Sequence, residues 1–151
     1  MTQLILGLAF VSTMSAADPF VGTWKLDPSQ SSGTFPKDET VIVQERGRSL
    51  SVEIQVTLGG PDNSALLIKY SAPQRGGAGQ VEKGPYEAIS IRRVDTRTIE
   101  TTYLSGGKET RSTHSAVSND GNSMTTTGKA LGPEDKSTWV MVFRKQPGSK
   151  P

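Results

Sequence analysis

From Leu50 to Leu58 the chain alternates without a break: Leu50, Val52, Ile54, Val56 and Leu58 against Ser51, Glu53, Gln55 and Thr57. Successive side chains of an extended strand point to opposite faces, so a period of two describes a strand with one dry face and one wet face. Runs of the same kind recur at Phe20–Leu26, Thr40–Arg46, Leu66–Ser71, Thr98–Leu104, Lys108–Val117 and Thr138–Arg144, separated by clusters of Gly, Pro, Asn and Asp. Almost nothing after Ala17 carries helical spacing. Many short strands at regular intervals predict an all-β barrel or sandwich.

The length, 151 residues, suits one domain with a single modest core. Residues 1–17 stand apart: they carry no charged side chain, run apolar from Leu4 to Val11 and end Ser15-Ala16-Ala17. That is the layout of a secretory signal cleaved after Ala17, and its apolar run falls short of the roughly 20 residues a membrane-spanning helix needs. The expectation is therefore an exported protein, periplasmic or secreted, with no membrane anchor after cleavage. Residues 18–146 would form the barrel and 147–151 a disordered tail. The chain contains no cysteine, which excludes disulfides, thiol chemistry and a lipid-modified cysteine. A net charge of +2, from 17 basic and 15 acidic residues that interleave, is no footprint for nucleic acid. Hydrophobic residues make up 33% and aromatic residues 6%, lean for a globular domain, so the interior should be partly polar or partly empty.

Turn chemistry indicates which side chains face inward. Gly106-Gly107 suits a two-residue primed turn, which places Tyr103 opposite Thr110, Thr101 opposite Ser112 and Ile99 opposite His114. A three-residue connection at Asp95–Arg97 gathers Ile89, Ile91, Ile99 and Tyr103 on one face and leaves Arg92 beside Glu100 outside, with Arg111 in the same outer cluster; burial of one face selects that register. Asn119-Asp120-Gly121 reads as a type I turn pairing Ala116 with Met124 and His114 with Thr126. The inner face of the second half is then half hydroxyl. For the last strand either Trp139, Met141 and Phe143 or Val140 and Val142 face inward. The glycines of Pro73–Pro85 have neither the phosphate-loop pattern nor a following helix, so this segment reads as a mobile connection beside one barrel mouth.

The run Asp18-Pro19-Phe20-Val21-Gly22-Thr23-Trp24-Lys25-Leu26-Asp27-Pro28, with Ile89-Ser90-Ile91-Arg92-Arg93-Val94-Asp95, Thr98-Ile99-Glu100, Gly106-Gly107-Lys108 and Val117-Ser118-Asn119-Asp120-Gly121, resembles small secreted bacterial lipocalin-like proteins of the calycin type. The resemblance spans most of the chain after Ala17 and implies an antiparallel up-and-down closed barrel of about eight to ten strands. Because these relatives are largely uncharacterised, it implies no substrate. It gives Gly22 and Trp24 a structural role at the start of the barrel, and Arg144 that of the late arginine that packs on the first-strand tryptophan in many lipocalins. The first strand is also similar to that of fatty-acid-binding proteins. Two of their features are missing: Asp27–Lys37 is too short and broken for their helical lid, and Met141-Val142-Phe143 stands where they carry a carboxylate-holding arginine and tyrosine.

These readings favour a non-enzymatic, monomeric binder of a small amphipathic or polar molecule inside the barrel, with Tyr70, Thr101, Tyr103, Ser112, His114 and Thr126 as ligand-binding residues. Tyrosine offers an apolar wall with one polar contact, and the hydroxyls and imidazole add specificity. A lone histidine without cysteines or a carboxylate cluster supports no metal site, and no cofactor is expected. No Gly-x-Ser-x-Gly elbow positions a nucleophile. The alternative is a filled barrel acting as a protein-interaction or inhibitor module through Asp27–Lys37 and Pro73–Pro85.

Overall fold

The computed structural model of the chain describes residues 17–148. The expected signal segment, apart from Ala17, and residues 149–151 of the expected tail lie outside the described residues. The strands are β1 (Gly22–Leu26), β2 (Ser32–Gly33), β3 (Asp38–Arg46), β4 (Ser49–Thr57), β5 (Ala65–Pro73), β6 (Gln80–Lys83), β7 (Ala88–Asp95), β8 (Thr98–Ser105), β9 (Lys108–Val117), β10 (Ser123–Ala130) and β11 (Thr138–Lys145). All pair antiparallel in the order β6-β5-β4-β3-β1-β11-β10-β9-β8-β7, and β2 continues the edge of β11 past the end of β1. The only helical piece among the described residues is one 3-10 turn, Pro28–Gln30, where Asp27 accepts a hydrogen bond from the Ser29 amide.

The two ends of the sheet meet through the segment expected to be a mobile border. It supplies β6, and its flanks reach β7: the Gly79 amide donates to the Ile89 carbonyl at 2.9 Å and the Arg93 amide to the Gln74 carbonyl at 3.2 Å. The seam is short, so the barrel is nearly closed, and little edge is left for another chain to pair with. Arg93 reinforces it. Its guanidinium bonds Gln74 and Asp18 and lies 5.4 Å from the centroid of the Phe20 ring.

Phe20 and Trp24 stop one end of the barrel. Trp24 is fully buried, and its indole N–H donates to the Phe20 carbonyl at 2.9 Å. Gly22, between them, has φ of +141°, a conformation side-chain-bearing residues rarely adopt. The cation over Trp24 is Lys145, whose Nζ is 5.2 Å from the ring, and not the expected Arg144. Inward positions on β11 alternate from Trp139 through Met141 and Phe143, so Lys145 points in and Arg144 points out, where it bonds Asp27 at 3.2 Å.

Two hairpins depart from the expected register. After Gly106-Gly107, Ser105 pairs with Lys108 and Leu104 with Glu109, as a two-residue turn requires. A bulge then sets both Thr110 and Arg111 against Tyr103, and the Thr110 hydroxyl bonds the Tyr103 carbonyl at 3.4 Å. One extra residue reverses the facing of everything beyond it. Thr101 therefore pairs with Thr113 and Ile99 with Ser115. The connection from β9 to β10 is also one residue longer than expected: the Ser118 hydroxyl accepts from the Ser123 amide, Asp120 accepts from Asn122, and Val117, not Ala116, pairs with Met124. The two shifts cancel at Thr126, which faces inward opposite Ser115. The β7–β8 hairpin gathers Ile89, Ile91, Ile99 and Tyr103 inside and leaves Arg92 paired with Glu100 outside.

Candidate functional site

The barrel is not filled. Between the Phe20 plug and the opposite mouth lies an interior cavity of about 590 Å³. Its mouth is bounded by Thr34–Pro36 before β3, by Leu58 and Gly59 after β4, and by Tyr86 and Ser137. All of these sit where β1 ends and β3 and β11 begin, so the opening is at the end of the barrel away from Trp24.

The cavity has two unlike walls. The alternation of β3, β4 and β5 puts Val41, Val43, Val52, Ile54, Val56 and Ile68 on one side, an aliphatic surface interrupted only by Glu39 on β3 and Tyr70 on β5. The wall from β8, β9 and β10 presents Thr101, Tyr103, Arg111, Thr113, Ser115 and Thr126. Deep in this wall the Ser115 and Thr126 hydroxyls bond each other at 2.8 Å. Tyr70, on β5, reaches across to the Tyr103 hydroxyl, and burial holds the phenols of both well inside their neutral range.

Four of the six residues expected to bind a ligand line the cavity: Tyr70, Thr101, Tyr103 and Thr126. Ser112 and His114 do not. The bulge at Thr110 turns both to the outer surface, where the His114 side chain is 52% exposed and its Nδ1 lies 3.8 Å from Glu100. Their neighbours Thr113 and Ser115 occupy the places foreseen for them. His114 also takes the third position in the outer cluster expected to hold Arg111.

Two charged residues in the cavity were not legible as such. Arg111 points inward near the mouth, its guanidinium carbon 4.5 Å from the Trp139 ring centroid and 5.3 Å from that of Tyr103. Tyr86 packs against Tyr103, with centroids 4.8 Å apart and planes tilted by 54°. Gly128 makes room for this arrangement, because the Trp139 indole lies directly against its α-carbon. Glu39, at the start of β3, is 7% exposed. Burial raises its carboxyl to about 7, against the opposing pull of Arg111. A sequence signal existed for Glu39 alone: it falls in phase with Val41 and Val43. Among the described residues no cluster of His, Asp or Glu could hold a metal ion.

No protein-family model matches the sequence, and comparison with curated proteins finds no match. A solved structure, the zebrafish ileal bile acid-binding protein complexed with cholic acid, is similar in fold. The TM-score is 0.50 at 11% sequence identity, and the match covers 85% of this chain and 99% of that one. The fold is thus a lipocalin-like barrel of the calycin type.

Proposed function

We infer that this barrel binds a small amphipathic molecule in its interior, as a monomeric carrier acting outside the cytoplasm, without chemistry. The observation that carries this reading is the divided cavity. A volume of about 590 Å³ falls within the range of about 300 to 1,000 Å³ that accommodates drug-sized ligands. Its aliphatic wall and its hydroxyl wall face each other across that space, the complement of a molecule with one apolar and one polar side. The bile acid in the similar barrel is of the matching type.

A carrier is favoured over an enzyme by what the cavity brings together. Its buried Ser115 and Thr126 hydroxyls bond each other, and the sole histidine faces outward. Export rests on the uncharged, apolar leader before Asp18. An interaction module with a filled barrel has no support in this interior.

Titration calorimetry with cholate, using the barrel from Asp18 onward, tests the reading. One molecule should bind per chain, and Ile54→Trp, which places an indole in the cavity, should abolish binding while the fold persists by circular dichroism. Binding unaffected by Ile54→Trp would refute it.

A further inference from the structure

We propose that the mouth of the barrel holds a head-group subsite, built from Arg111 and Trp139 and faced by Glu39, that takes the anionic group of an amphiphile whose apolar body lies deeper. This rests on the reading of the interior as a ligand cavity and names the ligand's charge and orientation within it.

The three residues come from separate strands but share one level. Glu39 is the second residue of β3, Arg111 the fourth of β9 and Trp139 the second of β11, all at the open end. Arg111 is a largely enclosed cation that forms no ion pair with a carboxylate among the described residues. Stacking on Trp139 and Tyr103 compensates part of its desolvation, yet its Nε–H and the Trp139 Nε1–H have no hydrogen-bond partner. Trp139 is 8% exposed, and a buried donor left without an acceptor is costly. A carboxylate or sulfonate supplies several acceptor lone pairs and a charge opposite to that of Arg111. Below this level the cavity runs to Met124, Phe143 and the Phe20 plug, so the head sits at the mouth and the body points inward.

Glu39 couples this subsite to pH. The groups that act on it are Arg111 from β9 and Asp38, its outward neighbour on β3. Tyr103 on β8, Tyr86 before β7 and Tyr70 on β5 complete the polar groups around Arg111, and burial keeps Tyr70 and Tyr103 neutral. The inward residues of the flanking strands β4 and β1, Val56 and Leu26, carry no charge. With Glu39 protonated, the mouth carries the unopposed charge of Arg111. Once ionised, Glu39 competes with the ligand for that cation and repels its head. An anion therefore binds with uptake of one proton from solvent onto the Glu39 carboxylate. Affinity should fall about tenfold from pH 6 to pH 8, as the protonated fraction falls around a midpoint near 7.

Two fluorescent probes with the same aromatic body test this: 1-anilinonaphthalene-8-sulfonate and the uncharged N-phenyl-1-naphthylamine. The sulfonate does not titrate in this range. Sulfonate binding should weaken about tenfold from pH 6 to 8 and a further tenfold or so in Arg111→Met, a loss expected for a charge-assisted contact. Glu39→Gln should hold it tight at pH 8. The neutral probe should change less than about twofold in every case. Equal behaviour of the two probes, or sulfonate binding indifferent to pH and to Glu39→Gln, overturns the subsite and leaves the cavity reading standing. Failure of both probes to bind overturns the cavity reading itself. Should Arg111→Met not fold, the wild-type and Glu39→Gln pH profiles decide alone.

Discussion

Replacing Gly128 with alanine isolates the packing that builds one wall of the mouth. Gly128 pairs with Trp139 across β10 and β11, and a methyl group on its α-carbon falls under 3.0 Å from Cε2, Cζ2 and Nε1 of the indole. Carbon atoms in contact need about 3.5 to 4.0 Å, so the ring must retreat. It is 8% exposed and carries the Arg111 guanidinium 4.5 Å from its centroid, so a shift of the ring disturbs that stacking as well. Overpacking of this kind costs about 1 to 3 kcal/mol. At roughly 4 °C per kcal/mol for a domain of this size, the midpoint of thermal unfolding should drop by about 4 to 12 °C. The backbone at Gly128 is in an ordinary strand conformation, so the cost is steric alone. In a Trp139→Val background, Gly128→Ala should therefore cost nothing, giving a coupling of about 1 to 3 kcal/mol between the two sites. Urea denaturation of the four proteins measures it. An equal cost in both backgrounds would refute the packing argument.

Glu39 makes stability pH-dependent in a defined direction. Its folded value of about 7 lies above the usual 4.5, so the folded chain keeps a proton that the unfolded chain releases between those limits. Stability is thus greatest below pH 4.5 and declines as pH rises to about 7, by about 3 kcal/mol in all for this group. Glu39→Gln should remove that decline in chemical denaturation across pH, and an unchanged slope would contradict the assignment. Thr126→Val leaves the buried Ser115 hydroxyl without its partner and should cost about 1 to 3 kcal/mol, whereas adding Ser115→Ala should restore most of it. Arg93→Met removes the bonds to Asp18 and Gln74 at the barrel seam, with the Asp18 side chain 11% exposed. A loss of about 2 to 3 kcal/mol is expected, together with faster hydrogen exchange at Gly79 and Arg93.

The alternation of Leu50 to Leu58, the hydroxyl-rich late strands and the Gly22-Thr23-Trp24 start made the barrel legible in the chain itself. Trp24 does close one end, but the cation over it is Lys145, because the facing of β11 follows its pairing with β10 and no local signal in the strand reveals it. The same limit hid the cavity's chemistry. Turn residues announced where the hairpins fall but not the length of the β9–β10 connection, which is one residue longer than expected, and the extra residue at Thr110 leaves no mark in a Ser- and Thr-rich strand, where either register buries hydroxyls. Its consequence is large: His114 and Ser112 go out, and Thr113, Ser115 and Arg111 come in. An arginine in an alternating strand reads as an outward residue by default, and it is Trp139, Tyr103 and Tyr86, from distant parts of the chain, that make its inward position tolerable.

Amide chemical shifts of the labelled protein, followed during titration with N-phenyl-1-naphthylamine, test ligand binding inside the barrel most directly. Saturable shifts should gather at Ile54, Ile68, Thr101, Ser115 and Thr126, which line both walls, and His114→Ala should leave the titration unchanged. Shifts confined to the outer face around Arg92, Glu100 and His114, or no saturable shifts at all, would contradict the account.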